Sequence, residues 1–234
     1  MSHRPDHFSE GKHPKQDFQV ERIAFFSDAV FAIAITLLVL ELKPPVIMKT
    51  TTAPELWHEL GEMKFKIIAM LLSFGLIVAY WVRHHTLFRH IHNYNRKVIA
   101  SNMLSLLPII FFPFTTAFLY ESLSSDNELI VVPYRLFFLN HVLAGAAMYF
   151  FYYIVMKRFK ECSYPMSREE ATGFERRLLV MIIAFSLIIL LSFFSFKYSF
   201  LGAIPVIALR FIKPKKTLPQ KNIYARQENS PADN

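Results

Sequence analysis

The sequence predicts an all-α polytopic membrane protein with six transmembrane helices per subunit and both termini cytoplasmic. Three observations carry this. The apolar residues, 53% of the chain, gather in long blocks at 23–42, 67–82, 98–120, 134–156, 178–196 and 198–212, and a helix needs roughly 20 predominantly apolar residues to cross a bilayer. Charged residues make up 19%, below the roughly 25% of a soluble domain, and most lie between the blocks. With the N-terminus inside, twenty of the 26 Lys and Arg residues fall in the inner segments; that bias sets orientation and favours an even number of spans. The domain organisation that follows is a disordered cytoplasmic tail at 1–20, a six-helix transmembrane unit at 21–213 and a second disordered cytoplasmic tail at 214–234.

Taken in order, residues 1–20 are polar and contain no apolar core ahead of a cleavage site, so no cleaved signal peptide is expected. Span one runs over 22–42 and stops at Lys43-Pro44-Pro45, since proline cannot continue a helix. Thr52-Ala53-Pro54-Glu55 has the T-x-x-E capping-box pattern with proline in the first turn. A helix should start there, outside the bilayer, and run into span two, with Trp57, Leu60 and Phe65 at the interface. Span two ends near Trp81-Val82-Arg83, and a basic, His-containing inner turn follows over 84–97. Span three is 98–120; Pro108 and Pro113 inside it predict a kink. Span four, 134–156, ends in an aromatic cluster from Tyr149 to Tyr153 that suits an interfacial belt. Residues 157–177 are expected as the longest inner loop. Spans five and six are separated by a tight turn near Lys197, and span six is short enough that the pair could be a hairpin that does not fully cross.

Composition excludes several functions. One cysteine, Cys162, rules out an internal disulfide framework and a Cys-rich zinc module. Six scattered glycines leave no phosphate-cradling loop. The TVGYG carbonyl filter is absent. No activated nucleophile, acid–base pair or metal cluster is visible, so the chain is read as a non-enzyme without cofactors. The net charge of +8 is explained by the inner-side bias rather than by nucleic-acid binding.

Span one begins Arg22-Ile23-Ala24-Phe25-Phe26-Ser27-Asp28. Arg and Asp at a membrane's edge are expensive and mark function or structure. At about 100° per residue Arg22 and Asp28 point about 120° apart, so each needs a partner elsewhere. Spacing alone favours a packing network over a transport role. Further along, Ile33, Leu37 and Leu40 share one stripe with Thr36 beside it. Such a stripe is ordinarily lipid-facing or a helix contact.

The segment R-I-A-F-F-S-D, followed by A-V-F-A-I-A-I-T-L-L-V-L-E-L, resembles the signature of the transmembrane-protein-175 family of potassium channels, whose hallmark is R-x-x-x-F-S-D at the head of the first helix. A single six-helix unit resembles the prokaryotic form. The resemblance implies a homotetramer with helix one lining a central pore, whose constriction is a stack of apolar rings. Carried onto this chain, the rings match Ile33, then Thr36 or Leu37, then Leu40. Arg22, Phe26, Ser27 and Asp28 match the motif that holds helix one, with Trp81, His84 or His85, and Asn102 as network partners.

The function so implied is a potassium-permeable channel of the cell (inner) membrane, modestly selective over sodium, whose partners are potassium ions, membrane lipids and its own copies. A proton-conducting channel of the same family is the first alternative. A secondary transporter is the second, though no repeat and no charged midplane residue in span one supports it. A non-conducting scaffold is the third. His84, His85, His90 and His92 could suggest a metal, but no carboxylate lies among them and a loop with one network histidine is favoured. Glu41 near the outer end of span one could form an acidic ring in a tetramer or be an ordinary interfacial carboxylate.

Overall fold

A computed structural model describes residues 14–123 and 128–204. Over these the chain is helical, with five helices long and apolar enough to cross a membrane. They are α1 (Pro14–Leu40), α2 (Ala53–Phe88), α3 (Arg96–Leu123), α4 (Val131–Tyr153) and α5 (Arg168–Phe194). A π-helical turn, Ile154–Arg158, extends α4, and 3-10 turns cover Glu128–Ile130, Lys160–Cys162 and Ser199–Ala203. The expected sixth span at 198–212 falls mostly outside the described residues. Its first part, Ser199–Ala203, is a 3-10 turn folded back on α5.

The helix ends follow local chemistry. α1 is described from Pro14 onward, so residues 14–20, expected in the tail, are helical. It stops ahead of the Pro44-Pro45 pair. At the head of α2 the Glu55 carboxylate accepts the Thr52 backbone N–H at 2.8 Å, the contact that T-x-x-E predicts. With 36 residues, α2 is about 54 Å long at 1.5 Å per residue and must project well beyond a 30 Å hydrocarbon core. Trp57 lies on that projection, exposed. α3 runs through Pro108 and Pro113, and the Asn140 side chain donates to the Pro108 carbonyl at 3.0 Å.

Two expected loops are shorter than the sequence suggested. α2 continues to Phe88, so the inner turn begins after it rather than at residue 84. α5 begins at Arg168, not after residue 177. Its start is fixed by a second capping box, in which Ser167 Oγ accepts the Glu170 N–H and Glu170 accepts the Ser167 N–H, both at 3.2 Å. The α2–α3 and α4–α5 connections are tied together: an isolated β-bridge joins Ile91 to Ser163, and the Tyr164 N–H donates to the His90 carbonyl at 2.7 Å.

α3 is the central post, packed against α1, α2 and α4, and α4 packs in turn on α5. One core cluster forms around Phe31, Leu38, Ile77, Tyr80, Ile109 and Phe112. A second sits at the end of the bundle that carries these two connections, around Leu87, Val98, Phe151 and Leu178. The outward faces are also apolar: Leu72, Ile110, Phe114, Ile183 and Leu190 are each more than half exposed. Apolar surface of that extent on a helical bundle is a face for lipid or for another subunit.

Candidate functional site

The site is built on α1, whose two sides have opposite environments. On a helix advancing about 100° per residue, Ser27, Phe31, Ala34 and Leu38 share one face, and all four are buried. Ile33, Thr36, Leu37 and Leu40 lie on the other side and are exposed in the single chain, Ile33 by 58% and Leu40 by 75%. With Arg22 and Ala29 they form one outward stripe within about 60° of a common line. The Thr36 hydroxyl donates to the Ile33 carbonyl at 2.9 Å, which turns its proton to the backbone and leaves its oxygen outward.

The buried side of α1 is fixed by a directional chain of hydrogen bonds. His84 Nε2 lies 2.7 Å from Asn102 Oδ1. The Asn102 amide nitrogen donates to Ser27 Oγ at 2.9 Å, and Ser27 Oγ donates to the Ile23 carbonyl at 2.9 Å. Since the amide oxygen only accepts, the proton of a neutral His84 sits on Nε2. The His84 ring is wedged among Phe31, Phe88 and Phe151, with centroids 5.3, 4.7 and 5.6 Å away. α1, α2, α3 and α4 thus meet at one imidazole. Beside this chain, Trp81 Nε1 donates to Asp28 Oδ1 at 2.8 Å, and the His85 ring stacks on Trp81 at 5.5 Å.

Of the residues named from the sequence, Ser27, Asp28, Trp81, His84, His85 and Asn102 therefore come together. His84 and His85 divide the roles: the first bonds to α3, the second buttresses the indole. Arg22 and Phe26 stand apart. Both are exposed, Arg22 bonds to no described residue of its own chain, and the two line an open groove of about 410 Å³ with Tyr94 and Met103. The aromatic wedge around His84 was not read from the sequence, because Phe151 lies in the aromatic-rich end of span four, where nothing local separates a core phenylalanine from an interfacial one. Glu41, just past the C-terminal end of α1, is partly buried. Among the described residues no group of three or more His, Cys, Asp or Glu side chains could hold a metal ion.

Residues 22–113 match the family model described as "Endosomal/lysosomal potassium channel TMEM175", a stretch that contains every residue of the hydrogen-bonded cluster. A potassium channel of Streptomyces collinus is 40% identical over 106 residues, 45% of this chain and 50% of that protein. One of Chamaesiphon minutus is 41% identical over 110 residues, 47% of this chain and 53% of that protein. The matched stretch thus spans about half the length of each. Among solved structures, the crystal structure of a lysosomal potassium-selective channel TMEM175 homolog from Chamaesiphon minutus superposes with a TM-score of 0.65 at 29% identity, covering 83% of this chain and 96% of that one.

Proposed function

We propose that the chain, whose residues 22–113 match the TMEM175 family model, is a potassium-permeable channel of that family, assembled as a homotetramer of six-helix subunits with both termini cytoplasmic. In this reading α1 lines the central pore, and Ile33, Thr36, Leu37 and Leu40 form its constriction. The observation that carries the reading is the two-sidedness of α1: one face is cemented into its own subunit while the other presents bare Ile, Thr and Leu side chains. One pore-lining helix per chain needs several copies to enclose a pore, and closed rotational symmetry supplies them.

The rings would be spaced along the axis by the helical rise, Leu37 about 6 Å and Leu40 about 10 Å beyond Ile33. A narrow apolar constriction of that length gates by dewetting and resists ions that keep their hydration shell. Potassium gives up its water more readily than sodium, so it passes more easily. With few oxygen ligands, the Thr36 hydroxyl among them, discrimination stays modest. The Ser27–Asn102–His84 chain and the Asp28–Trp81 bond hold α1 at a fixed rotation, which aims the stripe at the axis.

The test is passive flux in liposomes containing the purified chain, with potassium, sodium and proton gradients compared. Potassium flux above sodium flux is expected, with Ile33→Ala raising conductance and lowering the potassium-to-sodium ratio. The pore assignment fails if Ile33→Ala, Leu37→Ala and Leu40→Ala all leave both quantities unchanged. Proton flux without potassium flux would replace a potassium channel with a proton channel of the same family.

A further inference from the structure

The Ser27–Asn102 bond anchors α1 nearer its head, but Leu40 lies about 20 Å further along the helix axis. The last turn of α1 needs a restraint of its own, and the sequence removes the usual one. A carbonyl at a helix end is satisfied by the backbone N–H three or four residues on. For Glu41 those residues are Pro44 and Pro45, and neither has an N–H to give. The turn before it is closed: the Glu41 N–H donates to the Leu37 carbonyl at 3.2 Å, and the Leu42 N–H to the Val39 carbonyl at 3.1 Å. The double proline that stops α1 therefore leaves the Glu41 carbonyl dependent on another helix.

α3 supplies the donor. Tyr120 is 1% exposed, and its hydroxyl donates to the Glu41 carbonyl. The tyrosine is itself held. Lys66 of α2 lies over the Tyr120 ring, 5.5 Å from its centroid. The same Lys66 Nζ is 3.0 Å from both carboxylate oxygens of Glu121, the next residue on α3. Three helices thus converge on the end of α1: α2 through Lys66, α3 through Tyr120 and Glu121, and α1 through a main-chain oxygen. That oxygen is one residue from Leu40 and one backbone hydrogen bond from Leu37, both constriction residues in the reading above. Packing of Phe31, Ala34 and Leu38 cannot replace the bond, because apolar contact is non-directional and helix ends fray.

We propose that Tyr120 is a positioning residue for the pore: its bond to the Glu41 carbonyl sets the radial position of Leu40, and with it the width of the constriction at the C-terminal end of α1. This rests on the pore reading and adds to it a residue that touches no ion yet tunes ion discrimination. With the bond made, the Leu40 ring stays narrow and an ion must shed water to pass it. Without the bond the last turn shifts, the ring widens, and hydrated ions pass more easily. In a symmetric assembly every copy carries the same displacement, so a small shift of one helix end acts on all sides of the ring.

The test uses Tyr120→Phe, which keeps the buried ring beneath Lys66 and removes only the hydroxyl. In a Cys162→Ala background a nitroxide is attached through Leu40→Cys, with Ile33→Cys as the control position. Losing one buried hydrogen bond should raise the population of the displaced helix end about fivefold. The mobile component of the spectrum should grow by that factor at position 40 and stay unchanged at position 33. In liposomes the potassium-to-sodium flux ratio should fall towards that of Leu40→Ala, and adding Tyr120→Phe to Leu40→Ala should lower it no further. A tyrosine with a merely structural role would lower the melting temperature and leave both the ratio and the label at 40 as they were. The proposal is overturned if Tyr120→Phe leaves the label at 40 unchanged, if it leaves the flux ratio unchanged, or if its effect on the ratio is the same with and without Leu40. A parent without flux, or a ratio that Leu40→Ala does not move, would refute the pore reading and this inference with it. The label at 40 separates that failure from the absence of the Tyr120 bond.

Discussion

Replacing Asn102 by alanine is the sharpest probe of what holds α1 in place. Asn102 is fully buried and His84 is 1% exposed, so water cannot take over either lost contact. In the variant the His84 Nε2–H loses the acceptor now 2.7 Å away, and Ser27 Oγ loses the donor now 2.9 Å away. An orphaned buried donor costs about 1–3 kcal/mol, and the cavity left by the carboxamide adds about 1 kcal/mol. N102A should therefore destabilise by about 2–4 kcal/mol. Ser27→Ala is milder. It removes an acceptor from one amide hydrogen and a bond that Ser27 makes to its own helix, about 1–2 kcal/mol together. Because both variants break the same link, S27A/N102A should cost less than their sum by about 1 kcal/mol. Reversible unfolding in mixed detergent micelles measures all three. If N102A is no worse than S27A, or if the two effects add, then the chain from His84 to Ile23 does not act as a unit and the fixed rotation of α1 needs another explanation.

Three further variants test other contacts. Trp81→Phe deletes the N–H that Asp28 accepts at 2.8 Å and should cost about 2 kcal/mol, whereas Asp28→Asn keeps an acceptor there and should cost less than half of that in the same unfolding assay; the reverse order would mean that charge, not this bond, is what matters. Gly202→Ala would place a Cβ 2.5 Å from the Ile188 backbone nitrogen, so the Ser199–Ala203 turn must lift off α5, and a loss of about 1–3 kcal/mol is expected from overpacking, read as a lower melting temperature. Cys162 is buried, and burial first, with the Glu161 charge second, raises its thiol pKa. Alkylation at pH 8 should be much slower than for a free thiol and recover on denaturation. Above the ordinary thiol pKa the unfolded chain loses the proton first, so the contribution of this group to stability falls as pH rises.

Local chemistry made much of this fold legible. The Thr52–Glu55 capping box, the proline stop after α1 and the apolar blocks each mark a boundary without reference to the rest of the chain. Ser167-Arg168-Glu169-Glu170 carries the same S-x-x-E signal, yet it lies inside the expected 157–177 loop, because hydrophobicity marks only the part of a helix that meets hydrocarbon. The first turns of α5 are polar because they project from it. The end of α2 and the first turns of α1 follow the same rule: His84 and His85 read as part of a turn by composition, yet they lie on the helix, where His84 bonds to Asn102 and His85 stacks on Trp81.

The sequence alone determined that the chain is a bundle of membrane-length helices, that α1 has an outward stripe of Ile33, Thr36, Leu37 and Leu40, and that a polar motif stands at its head. Those properties follow from one helix's periodicity and from the length scale the bilayer imposes. Only the tertiary structure decided which of two adjacent histidines bonds to Asn102, and that Asp28 turns to Trp81 rather than to Arg22. The physical reason is that neighbours on a helix point about 100° apart. Identical residue types one position apart therefore face different helices, and what each one meets is set by packing between segments far apart in the chain.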